Sequence, residues 1–346
     1  MSKTKKLLAA ALSGVMALSM AACGGNAGNN TGSTPSSAGG SAAGSAGGKA
    51  GSYTVGICQL TQHPALDAAT KGFRDKLTEL VEADGGSVEF NEQNASGESP
   101  NCATIINGFV SSNVDLILAN ATASLQAAQT GTVDIPILGT SVTDYATALD
   151  MREWNGTTGV NISGTTDLAP LDGQAEMLHE MFPDAKKVGL LYCSSEANSK
   201  YQIDVIKPLL EGYGYECTEY TFTDTNDVAA VAATAAAASD VMYIPTDNNA
   251  ASCSEAIGNV VIPEKVPVIA GEEGICKGCG VATLSIDYYE LGEATGEMAY
   301  DILVNGADPA TMEIRPAPNF TKKYVEANCK ALGITPPDGY EAIAAE

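Results

Sequence analysis

The chain has 346 residues, 45% of them hydrophobic, and a formal net charge of -24. It is long enough for two ordinary domains and apolar enough to bury real cores, which excludes an intrinsically disordered polymer. The acidic field, with no Lys/Arg-rich patch in the body, argues against a nucleic-acid binder.

At the N-terminus, Lys3, Lys5 and Lys6 precede the apolar stretch LLAAALSGVMALSMAAC. The stretch is short and rich in small residues, the layout of a secretory signal over residues 1–22 rather than a membrane span. Ala21 and Ala22 then meet Cys23, which resembles a bacterial lipoprotein processing site, with Met20 where Leu is more usual. That resemblance implies an exported chain held at the outer face of the cytoplasmic membrane by lipid on Cys23. Residues 23–52 are Gly/Ser/Ala/Asn-rich and read as a flexible tether, spanning roughly 30 Å. Eight further cysteines follow, including a CxxC at Cys276 and Cys279 in a stretch read as a loop. A metal site needs a second ligand pair at suitable spacing, and none is evident, so no metal or cofactor is expected. A local disulfide and free thiols both remain open.

From Tyr53 short β-rich runs alternate with amphipathic segments. YTVGICQ reads as a strand, and Leu66, Ala69, Phe73, Leu77, Leu80 and Val81 then fall at helical spacing. SVEFNEQ, a helix near 100–112, the apolar run VDLILA, a helix from Thr122 and the strand IPILG follow. Continuous apolar runs suit parallel strands covered on both faces, and this βαβαβ order requires right-handed crossovers. The same order recurs in KKVGLLYC, YECTEYTF, SDVMYIP and VPVIAG with helices between them, at offsets of about 125–133 residues. The expectation is an α/β chain of two hinged Rossmann-like lobes with parallel sheets. Lobe one is expected over 53–160, with 287–310 returning to it, lobe two over 161–286, and 311–346 spanning or packing on both. GTTGVNISG and GVATLSIDYY are the expected crossings.

Ligands of open parallel sheets sit beyond the carboxyl ends of the strands. That rule selects loops 60–66, 94–98, 120–124 and 140–144 in lobe one, and 194–199, 246–249 and 271–274 in lobe two. All are rich in Ser, Thr, Asn, Asp and Glu, residue types that also cap helices. Thr122 and Ser124 open a helix directly after a buried strand, where free N–H groups and the dipole favour a carboxylate; Ser141 and Thr143 lie in the neighbouring loop. Asp247, Glu196 or Glu272 in the opposite lobe are candidates for a ligand ammonium. Tyr145, Tyr201, Tyr288 and Tyr289 are candidate walls, and Trp154 lies near the first crossing. The chain has only two histidines, neither near a nucleophile pair, which argues against triads and His-rich metal sites, and no enzymatic role is expected.

The segments VGICQLTQHPALDAATKGF, DLILANATAS, ILGTSVTD, VGLLYCSSEANS, IPTDNN and SIDYYELGEATGEMA resemble the ABC-transporter substrate-binding family that includes tryptophan- and other aromatic-amino-acid-binding lipoproteins. The resemblance runs from about Tyr53 to Pro336; Cys58 and the CKGCG stretch depart from the family pattern. It implies a type I periplasmic-binding-protein fold, a small zwitterionic ligand such as an amino acid, and a monomer delivering to an ABC permease with its ATPase. By position it implies contacts from Gln62, His63, Thr122, Ser124, Ser141, Thr143, Glu196, Asn198, Asp247, Asn248 and Asp287. A sensor for a membrane signalling partner, or a receptor for a nucleoside or sugar, is the alternative expectation.

Overall fold

A computed structural model describes residues 51–344. The expected signal, Cys23 and nearly all of the tether lie outside the described residues. The first lobe opens with β1 (Ser52–Gln59), α1 (Pro64–Ala83), β2 (Ser87–Asn94), α2 (Ser99–Ser112) and β3 (Leu116–Asn120). It continues through α3 (Thr122–Gly131), β4 (Ile137–Val142), α4 (Tyr145–Ala148) and β5 (Ile162–Thr166). The second lobe follows with α5 (Leu171–Met181), β6 (Lys187–Cys193), α6 (Ala197–Gly212), β7 (Glu216–Phe222) and α7 (Val228–Ala238). Then come β8 (Val241–Ile244), α8 (Asn248–Ser252), α9 (Ser254–Val261), β9 (Val268–Ala270), α10 (Glu273–Cys279) and β10 (Ala282–Ser285). The chain ends with α11 (Tyr288–Leu303), β11 (Arg315–Pro316), β12 (Thr321–Tyr324), α12 (Glu326–Leu332) and β13 (Glu341–Ala342).

The sheets run β11-β5-β4-β3-β1-β2 and β13-β12-β10-β9-β8-β6-β7. Their central five strands share one order, β2-β1-β3-β4-β5 against β7-β6-β8-β9-β10, so the repeat read in the sequence is a repeat of topology. All pairs in these two sets of five are parallel, whereas β12 joins β10 antiparallel. Leu116, Ile117, Leu118 and Ala119 are fully buried because helices cover both faces of the sheet. In both sheets the order reverses beside the first strand, between β1 and β3 and between β6 and β8, which puts the two switch-point crevices at the carboxyl ends.

Two expectations change. Residues 162–166 pair with β4 in the first sheet, so that lobe extends past residue 160 to Thr166. The CxxC lies on α10, not in a loop, because Glu272 caps that helix through Gly274 N and Ile275 N; all eight body cysteines are free thiols, and Cys276 and Cys279 are fully buried.

α11 packs on α1. A Cβ on Gly72 would sit 2.1 Å from the Tyr289 carbonyl oxygen, and one on Gly292 would sit 2.1 Å from that of Ala69. Only hydrogen at these positions lets the two backbones meet, and Met298, Ala299 and Ile302 thereby complete the core over β1, β3 and β4.

Candidate functional site

The switch-point crevices face each other across a closed gap. His63 Nε2 lies 3.3 Å from Asn248 Oδ1 of the other lobe, and a Cβ on Gly97 would lie 3.1 Å from Asn249 Oδ1. The residues between are polar yet buried: His63, Asn120, Thr122, Ser141, Thr143, Asp167, Glu196, Asn198, Asp247, Asn248 and Glu272 are each at most 7% exposed.

On the first lobe, β3 ends at Asn120 and α3 begins at Thr122, with Ala121 between them at φ 90°. At the end of β4, Ser141 has φ 54°. Positive φ at two non-glycine residues on adjacent strand ends stores strain of the kind found where backbone is aimed at a ligand. No side chain caps α3, whose start follows the carboxyl end of β3, so its first N–H groups and dipole are left without a side-chain acceptor at that edge of the sheet. Among the described residues, Thr122 Oγ1, Ser141 Oγ, His63 Nδ1 and Asn120 Oδ1 of the gap are buried without a hydrogen-bond partner. Buried polar atoms are ordinarily paired, so four in one gap mark where an outside partner fits. Ser124, by contrast, turns its hydroxyl onto the thiols of Cys58 and Cys102, 3.6 Å from each, and offers the gap its backbone.

The acids of the second lobe are occupied. Asp247 accepts from Cys193 N (2.7 Å), Ser199 Oγ (2.7 Å) and Ala250 N (2.8 Å). Burial first, and the charge of Glu196 second, push its carboxyl well up. Glu196 accepts from Asn198 Nδ2 and from the backbone and side-chain amides of Asn248 and Asn249, at 2.7–3.0 Å. Together the two carboxylates bind the start of α8 to β6. Asp247 and Glu196 therefore reach the gap's floor with their carboxylates committed to their own lobe, as is the side-chain nitrogen of Asn198. Gln62 is exposed at the rim, beside an 840 Å³ cavity between the lobes that His63 also lines. Asp287 is exposed as well, and caps α11 through Tyr289 N and Glu290 N.

Asp167 was not singled out in the sequence. It follows β5 on the first crossing, is 4% exposed, and accepts from Thr143 Oγ1 (3.1 Å) and the Tyr288 hydroxyl (3.0 Å). Burial pushes its carboxyl up to about 6, against the opposing pull of those two hydrogen bonds. One signal was available: GTTDLAP puts an acid just after a strand, but the next helix starts only at Leu171, so capping cannot explain it. Of the candidate walls, Tyr145 is spent in the first lobe's core on the Thr165 carbonyl; Trp154, near the first crossing, is 43% exposed.

Two similar lobes shut on a buried polar gap define a solute-binding protein of the type I periplasmic-binding-protein fold, and a glucose-galactose binding protein from Geobacillus stearothermophilus shares that fold at 12% identity (TM-score 0.56). The chain belongs to the ABC transporter substrate binding protein family, whose model matches residues 54–346. A tyrosine-binding protein of Clostridioides difficile (strain R20291) is 37% identical over 249 residues, 72% of this chain and 72% of that one. The ABC domain from Streptococcus pneumonia in complex with L-Trp is 28% identical with a TM-score of 0.78, covering 84% of this chain and 100% of that one. A ligand-free, open substrate binding protein with adhesive properties from Clostridium difficile is 35% identical and covers 85% and 100%, yet superposes less well, with a TM-score of 0.63. The lobe arrangement here is thus nearer to the ligand-bound relative than to the open one of higher identity. No described helix is long and apolar enough to cross a membrane.

Proposed function

We propose that this protein binds a free α-amino acid, with an aromatic side chain favoured, in the gap between its lobes and presents it to an ABC permease and its ATPase. The observation that carries the reading is the pair of partnerless hydroxyls, Thr122 Oγ1 and Ser141 Oγ, beside the uncapped start of α3. A carboxylate placed there accepts from both hydroxyls and from backbone N–H groups, in a closed site where such bonds are worth more than in water. The names of the relatives support the aromatic preference: one is a tyrosine-binding protein and another was solved with L-Trp. In this reading the protein catalyses nothing, works as a monomer, and is held outside the cytoplasmic membrane by lipid on Cys23.

Calorimetry of the purified body, residues 51–346, against a panel of L-amino acids, nucleosides and sugars tests the ligand class. Saturable binding of L-tyrosine or L-tryptophan at micromolar or lower concentration is expected, with sugars and nucleosides silent. Binding of a sugar or nucleoside alone refutes it. Mass spectrometry of the membrane-bound form tests the anchor, which requires a diacylglyceryl-modified Cys23 at the new N-terminus.

A further inference from the structure

Four carboxylates lie buried where the lobes meet, and among the described residues none of them is in an ion pair with a lysine or arginine. Three are held by donors that belong to helix starts: Asp247 and Glu196 at α8, and Glu272 at α10. The fourth, Asp167, caps nothing, and the side chains that donate to it are two neutral hydroxyls, beside its own backbone N–H. A carboxylate has room for about four hydrogen bonds, so Asp167 keeps acceptor capacity, and a buried charge with so little compensation lacks a partner.

Position narrows the partner. In an α-amino acid the carboxylate and the ammonium are attached to one carbon, so an acid standing beside the carboxylate site is within reach of the ammonium. Val142 of β4 pairs with Thr166 of β5, and Asp167 N donates to the Val142 carbonyl. Neighbouring strands lie about 4.8 Å apart, so Asp167 stands one strand away from the Ser141 hydroxyl. Asp247 and Glu196 lie on the opposite lobe with their oxygens turned to β6 and α8.

We infer that Asp167 is the receptor for the ligand's α-ammonium, so that the first lobe and the first crossing hold both charged ends and the second lobe meets the side chain. This rests on the amino-acid reading above and narrows it: the ligand must carry a free α-amino group. Tyr288, at the start of α11 on the second crossing, hydrogen-bonds the same carboxylate and is its positioning residue. Both crossings thereby meet at one side chain.

The test compares each amino acid with its counterpart lacking only the amino group. L-Tyrosine is set against 3-(4-hydroxyphenyl)propanoate and L-tryptophan against indole-3-propanoate, by calorimetry on the body of residues 51–346. The wild-type protein should prefer the amino acid by roughly 10- to 150-fold. Asp167→Asn should reduce that preference to a few-fold while leaving affinity for the propanoate within about threefold, an outcome that general damage to the fold does not give. Asp167→Ala is the second variant, should the buried amide disturb folding. Wild type that binds both members of a pair equally overturns the inference. So does an Asp167 variant that keeps the full preference, or an Asp247→Asn variant that loses it while Asp167→Asn does not. Wild type that binds neither tyrosine nor tryptophan, while binding a sugar or nucleoside, overturns the underlying reading as well.

Discussion

Replacing Thr122 by valine separates a ligand contact from a structural hydroxyl, because the two roles move stability in opposite directions. Thr122 is 3% exposed and its hydroxyl oxygen has no partner in the closed protein. Valine has the same shape with a methyl group in place of the hydroxyl. A buried hydroxyl without a hydrogen bond costs about 1–3 kcal/mol on the scale of protein substitutions. The valine variant therefore removes that cost whenever the lobes are shut and changes little when they open and water hydrates the site. Without ligand its melting temperature stays level or rises by a few degrees, at about 2–4 °C per kcal/mol for a chain of this size. With ligand the sign reverses, since a hydrogen bond to a carboxylate is worth about 1.5–3 kcal/mol and its loss weakens binding by roughly 10- to 150-fold. Differential scanning calorimetry without ligand and titration calorimetry with L-tyrosine or L-tryptophan read the two effects separately. A melting temperature several degrees lower with affinity unchanged would show that the hydroxyl serves the fold and would refute the reasoning.

Three further outcomes follow from the geometry. Asp247→Ala leaves Cys193 N, Ser199 Oγ and Ala250 N without their acceptor, so urea unfolding should show a loss of about 2–4 kcal/mol; a loss below 1 kcal/mol would mean that these bonds are not made. Gly292→Ala drives a methyl group into the Ala69 carbonyl, so α11 must move off α1, at a cost of about 2–3 kcal/mol or more in the same assay, and a neutral result would contradict the close approach. For Asp167 the folded carboxyl titrates near about 6 against a usual 3.8, so the folded state binds the extra proton between these values. The contribution of Asp167 to the stability of the ligand-free protein is then fullest below pH 4 and declines as pH rises towards 6, by a total on the order of 3 kcal/mol. Asp167→Asn should flatten that part of the profile relative to the parent, and parallel profiles from pH 4 to 7 would rule out a buried, unpaired Asp167.

The duplicated fold was readable because its signals are physical and repeated. A parallel strand buried on both faces must be apolar throughout, and VDLILA and SDVMYIP say so directly. β5 escaped because ISGTT is not apolar. It can be buried only because Thr165 shares hydrogen bonds with Thr140 and with Thr295 of α11, partners that spacing along the chain cannot reveal. The site was legible as a set of loops but not as a set of roles. Asp247, Glu196, Asp287 and Glu272 all stand where strands or crossings give way to helices, and in sequence an acid that caps a helix is the same letter as one that meets a ligand. Thr122 and Ser124 looked alike for the same reason, until the packing put Cys58 and Cys102 next to one hydroxyl and nothing next to the other. Asp167 went unnoticed because GTTGVNISG, the segment that reads as the crossing, ends at Gly164, and without β5 as a strand the acid at its tip belongs to no strand-end loop.

The helix that closes the first lobe's core is made late. Met298, Ala299 and Ile302 pack against Val55, Leu116, Leu118 and Leu138. Until α11 has emerged, α1 alone covers that face of the first sheet and the core over β3 and β4 stays incomplete, although all five central strands were synthesised long before. The amino-terminal lobe therefore cannot finish folding ahead of the carboxy-terminal one, and a nascent chain stays open until nearly all of it is available. For a polypeptide threaded unfolded through a narrow channel before it acquires its final shape, this order of assembly delays collapse on the wrong side.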